Sequence, residues 1–123
     1  MATNTANFTV AEFLCRCCGG GADILHQELL DAPQVVRTDW NNPLSINCGY
    51  RCPAHNAAVG GAPSSAHQTG QACDVYDPDG SLKAWIAPLL EKYGLYMEAP
   101  HYTSNWCHLQ TRPTASGNRV FIP

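Results

Sequence analysis

Charge is scarce in this chain of 123 residues: Asp, Glu, Lys and Arg make up only 14%, and the net charge is −3. A sparsely charged, slightly acidic chain carries no basic footprint for nucleic acid and no general attraction to anionic membranes. No run of about 18 apolar residues occurs, so neither a transmembrane helix nor stable membrane insertion is expected. The opening "MATNTANFTV" lacks the basic region and apolar core of a secretory signal. Internal repeats and low-complexity segments are absent too. With 45% hydrophobic residues, the composition predicts one globular domain over residues 1–123, working as a monomer.

Cysteine, by contrast, is plentiful. There are seven, an odd number, in a chain whose start does not read as a secretory signal. That argues against a complete disulfide framework and for thiols, metal ligands or a mixture. Cys15, Cys17 and Cys18 fall in a Cys/Gly-rich amino-terminal segment, residues 1–21. With Cys48 and Cys52 they offer enough donors for a structural zinc site among four of the five, although the spacing lacks a clean C-x-x-C pair. Disulfides formed in an oxidising compartment are the competing reading.

Periodicity predicts an α+β chain, a small antiparallel sheet with flanking helices. "ADILHQELLDAPQVVRTDW" carries a broken helical stripe that Pro33 should interrupt or kink. "PLSINCGY" reads as a buried strand and "RCPAHNAAVGGAP" as a short helix before a glycine loop. "QACDVYD" alternates like a strand, and Ser81 should cap the following helix, which Pro88 should kink and Gly94 should end. "LYMEA" and "NWCHLQ" read as a hairpin, with one more short strand in the tail.

The chemistry begins with "SSAHQTGQACDVYDPDG". Strand alternation over 71–76 sets Asp74 on the face opposite Cys73 and Val75. His67 lies on the loop just before, and Gly70 lets that loop fold back. The pair is either two converging metal ligands or a histidine hydrogen-bonded to an aspartate in a polar loop. His108, within "NWCHLQ", adds a third donor on a second strand, with Cys107 and Leu109 on the opposite face. Two histidines and one carboxylate form the ligand set of a catalytic zinc site that keeps a position open for water. Cys73 and Cys107, each beside a ligand, should point into the core as small apolar filler.

These residues fall into a wider pattern. Ser65, His67, Gly70, Ala72 and Asp74 spell S-x-H-x-x-G-x-A-x-D, and Trp106 stands two before His108. Upstream, "GYRCPAHNAAVGG" contains G-Y-R-x-P-x-x-N-x-x-V-G-G. Over about residues 44–110 the chain resembles the D-Ala-D-Ala carboxypeptidase and hedgehog-type zinc metallopeptidases, small bacterial and phage peptidoglycan peptidases among them. The resemblance implies zinc held by His67, Asp74 and His108, and Arg51 as the guanidinium that meets a substrate carboxylate or developing oxyanion. Ser65 would contact substrate or simply stabilise its turn. The implied function is hydrolysis of peptidoglycan stem peptides or cross-links by a phage or prophage endolysin. Such a protein would remain in the host cytoplasm until it is released to the cell wall.

One departure matters. Many relatives carry an acid three residues before the last zinc histidine, where this chain has Asn105. If residues 95–99 and 105–110 pair about a turn near Tyr102, Glu98 falls opposite Trp106 and diagonal to His108, about 5–8 Å away. It would then be the general base; otherwise it is a solvated residue on an edge strand. His101, in the turn, is a second candidate for electrophilic or proton-transfer work, or an exposed side chain. Asn105 also leaves open a module that keeps its zinc for binding, or for a structural place in a phage particle, without catalysis.

Overall fold

The computed structural model describes all residues, Met1 to Pro123. It is α+β, with a five-stranded sheet and four α-helices. The strands are β1 (Ile46–Cys48), β2 (Ala72–Tyr76), β3 (Tyr96–Glu98), β4 (Trp106–Gln110) and β5 (Val120–Phe121). The helices are α1 (Glu28–Trp40), α2 (Pro53–Ala58), α3 (Ser81–Ile86) and α4 (Leu90–Tyr93). None is long and apolar enough to cross a membrane.

The sheet order is β1-β2-β4-β3-β5. Three of its four pairings are antiparallel, but β5 runs parallel to β3, so the sheet is mixed rather than purely antiparallel. The cause lies in the connection. After β4 the chain reverses, and both places beside β4 are already taken by β2 and β3. The returning strand therefore pairs with the free edge of β3.

Alternation gives the sheet two unlike faces. Cys73 and Val75 on β2, Met97 on β3, and Cys107 and Leu109 on β4 all enter one hydrophobic core. Leu29, Leu30 and Val36 of α1 join them there, with Leu82, Ile86, Leu90 and the amino-terminal Phe8 and Phe13. Cys73 and Cys107 are core filler, as the alternation predicted. The opposite face carries Asp74, Glu98, Trp106, His108 and Gln110, and it is open.

Two prolines behave differently. α1 continues past Pro33, whose side chain is buried, so the helix is not interrupted there. Its ring adds to the core side of the helix at the loss of one backbone donor. Pro88, by contrast, divides its helix: α3 stops at Ile86, a 3-10 turn spans Ala87–Leu89, and α4 begins at Leu90.

The cap of α3 also differs from expectation. Ser81 is the first helical residue and not the cap. Asp77 does that work, its carboxylate accepting from the N–H groups of Leu82 and Lys83, both at 3.0 Å. Two donors orphaned at the helix start are thereby satisfied. The buried Lys83 then reaches across to donate to the carbonyls of Thr103 and Trp106. This ties the connection between β3 and β4 to the helix layer and holds the first residue of β4 in place.

Candidate zinc site

Asp74 and His108 face one another across the β2–β4 ladder, where they are direct cross-strand partners. His67 comes from the 3-10 turn Ala66–Thr69 that leads into β2. Ser65 caps that turn by accepting the His67 N–H at 3.2 Å. Gly70 closes it in the left-handed region, at φ 71°. A side chain there would strike the backbone of Ile24 and Leu25, its Cβ standing 2.4 Å from the Ile24 carbonyl oxygen. Only glycine meets both demands.

Both imidazoles aim at one oxygen. His67 Nε2 lies 3.3 Å, and His108 Nδ1 3.0 Å, from Asp74 Oδ1. The remaining ring nitrogens are held from behind. His67 Nδ1 donates to the Gly49 carbonyl at 2.7 Å, and His108 Nε2 donates to Gln110 Oε1 at 2.8 Å. Gln110 is itself oriented, its Nε2 donating to the Arg112 carbonyl at 2.8 Å. These contacts aim His67 Nε2 and His108 Nδ1 at the carboxylate, nitrogens that donate to Asp74 when protonated and offer lone pairs to a metal when not. Such outer partners orient the ligands of a metal site.

The electrostatics favour positive charge at this point. Burial alone would raise the Asp74 carboxyl, but hydrogen bonds from His108 and His67 hold it well below the usual carboxylate range. His108 is pulled down by burial, yet its hydrogen bond to Asp74 and the charges of Asp74 and Glu98 leave it above the ordinary imidazole value. Two imidazole nitrogens and a carboxylate oxygen converging in this way fit a zinc ion. Cys48, His67 and Asp74 also present donors within 4.8 Å of one another. Burial, then the Asp74 charge, push the Cys48 thiol up to about 11 in the metal-free protein, and its sulfur lies 3.8 Å from His67 Nδ1.

Glu98 is the one other acidic side chain lining the cavity. β3 pairs with β4 through Tyr96 to Gln110 and Met97 to Leu109, a register that continues to Glu98 opposite His108. The expected partner was Trp106, two residues away; because the offset is two, Glu98 keeps the expected face. Its Oε2 stands 3.8 Å from His108 Nδ1. Arg51 lines the same cavity, its Nη2 donating to Ser65 Oγ at 3.4 Å, and its buried Nε has no partner. Ser65 thus caps the His67 turn and steadies Arg51 at once.

The cavity holds about 720 Å³ and is walled partly by Trp106 and Phe121. His101 is not brought to it: it is exposed in the 3-10 turn Pro100–Tyr102, with its ring against Tyr102. Asn105 is likewise exposed and outside the cavity; its carbonyl accepts the Asp77 N–H at 3.0 Å. Sequence reasoning passed over Gly49, Gln110 and Arg112, which also lines the cavity. Gln110 was within reach, since it stands two residues beyond His108 on the same strand face. The Gly49 carbonyl left no signal in side-chain pattern.

Gln110 supports a first prediction. Gln110→Ala should weaken zinc binding about 10- to 100-fold, the usual effect of losing an outer partner of a ligating histidine. Competition with a chelator measures it; unchanged affinity would show that Gln110 does not orient His108.

No curated protein matches the chain. The family model described as Peptidase M15 matches residues 6–110, which takes in β1 through β4 and every residue of the site named above except Arg112 and Phe121.

Proposed function

Since this chain belongs to the Peptidase M15 family and is thereby a zinc metallopeptidase, we propose that it hydrolyses peptide bonds of peptidoglycan stems or cross-links. The observation that carries this reading is the shared cavity: the His67–Asp74–His108 cluster, Arg51 and Glu98 all open onto one cleft. A volume of about 720 Å³ suits a short peptide, since ligand clefts run to roughly 300–1,000 Å³.

His67 Nε2, Asp74 Oδ1 and His108 Nδ1 would hold the zinc. The ion supplies a Lewis acid and lowers the pKa of water toward about 7. The chain's own groups do the rest. Glu98 accepts a proton from water at Oε2 and returns it to the departing amine. Arg51 offers its planar guanidinium to a substrate carboxylate or to the carbonyl oxygen as charge builds there. Ser65 keeps Arg51 in place, and Trp106 and Phe121 give the peptide an apolar wall.

Arg51→Ala should lower kcat/KM about 10- to 100-fold, as a hydrogen bond to a charged group contributes roughly 1.5–3 kcal/mol. Zinc content should stay the same. Arg51→Lys should restore only part, because an ammonium cannot reproduce the fork. Unaltered kinetics in Arg51→Ala would remove it from the substrate site.

In the cell, the proposed role is lysis by a phage or prophage enzyme held in the host cytoplasm until it reaches the wall. Mass spectrometry of peptidoglycan fragments tests the substrate, with His67→Ala as control. New peptide ends absent from the control would support the reading and identify the bond, D-Ala-D-Ala, a cross-link or L-Ala-D-Glu. A zinc-loaded protein yielding no new ends would overturn it in favour of a binding or structural module.

A further inference from the structure

A second group of donors lies outside the cleft. Cys15, Cys17 and Cys18 sit on the amino-terminal loop, and Cys52 stands at the cap of α2. One sulfur from each lies within 4.8 Å of the other three. Cys17 Sγ and Cys52 Sγ are 3.7 Å apart although 35 residues separate them in sequence.

The backbone around them is arranged for sulfur. The N–H groups of Cys52, Gly20 and His55 point at Cys15, Cys18 and Cys52 Sγ respectively, each at 3.4 Å. The loop is closed by the Cys15 N–H to the Gly20 carbonyl at 2.9 Å and by the Gly19 N–H to the Cys15 carbonyl at 2.8 Å. His55 Nδ1 lies 3.4 Å from Cys15 Sγ. N–H groups directed at sulfur favour thiolates, and four thiolates forced together would repel one another unless a cation lay among them. A four-sulfur set with no open position is that of a structural zinc site.

We propose that Cys15, Cys17, Cys18 and Cys52 bind a second zinc ion, which ties the amino-terminal loop to the segment carrying Arg51. Cys52 directly follows Arg51, while the Tyr50 N–H just before it is bonded to the Phe13 carbonyl at 2.8 Å. The arginine is thus anchored on both sides by the amino-terminal segment, and the ion provides one of the two anchors. The seven cysteines then divide cleanly: four on this ion, Cys73 and Cys107 in the core, and Cys48 beside the catalytic site.

The test uses the full chain, purified under reducing conditions and analysed for zinc by elemental mass spectrometry. Two zinc ions per chain are expected in the parent protein, one in His67→Ala, and one in the Cys17→Ser/Cys18→Ser variant. Cobalt substituted into the parent protein should give intense thiolate-to-metal charge transfer, and that band should persist in His67→Ala. This second measurement decides the matter even if the cysteine variant fails to fold. One zinc per chain with no thiolate charge transfer would overturn the proposal. So would an intact mass showing a Cys17–Cys52 disulfide in the metal-replete protein. Because the readouts are metal content and spectrum, they stand or fall separately from peptidase activity.

Discussion

His67→Ala is expected to lose the catalytic zinc and to reduce peptidase activity to background. The side chain is 2% exposed and makes two directed contacts, one to Gly49 and one towards Asp74. Alanine removes one of the three proposed ligands, leaving Asp74 and His108 too few to hold the ion. The fall in zinc affinity should exceed the roughly 10- to 100-fold that the loss of a mere outer partner costs. Alanine also leaves the Gly49 carbonyl with only the weak Cys48 Sγ donor at 3.7 Å, against a cost of about 1–3 kcal/mol for a fully unsatisfied buried group. The variant should therefore melt earlier while still folding, as the core on the other sheet face is untouched. His108→Ala should behave alike. Zinc content and hydrolysis, measured on the same sample, must fall together; a variant that keeps full activity would dismiss this cluster as the site.

Glu98→Gln separates chemistry from metal binding. Glutamine keeps the size and the polar contact near His108 but cannot take up a proton usefully. Positioned acid–base groups contribute about 10²–10⁴-fold to rate, so kcat should drop by that factor. Zinc content should remain unchanged, since Glu98, 3.8 Å from His108 Nδ1, is not one of the three proposed ligands. KM should move little if the substrate is held by Arg51 and the apolar wall. Near-normal turnover would return the search for the proton acceptor to other groups. Neither His101 nor Asn105 lines the cavity, so neither is the obvious successor.

Much of the site is legible in the sequence. The period of two along a strand decides which side chains share a face, whatever the strand pairs with. Asp74 against Cys73 and Val75, and His108 against Cys107 and Leu109, follow from that local rule, as does the core role of the two cysteines. The reversal at Gly70 was legible for a similar reason, since it answers to a backbone demand at a single position.

What lies across from a residue is another matter, because it depends on how far the chain travels before it returns. The turn Pro100–Tyr102 and the Lys83 bonds to Thr103 and Trp106 set the β3–β4 register, placing Glu98 level with His108. Occupied positions beside β4 sent β5 to the edge of β3. Asp77 reached the start of α3 ahead of Ser81 because the turn carries its carboxylate over two free N–H groups. The gathering of Cys52 with Cys15, Cys17 and Cys18, while Cys48 turned to the other site, is decided in the same way. Alternation, capping preference and turn chemistry are properties of a few adjacent residues; register, tautomer and metal cluster are properties of segments that meet only when the whole chain has closed on its core.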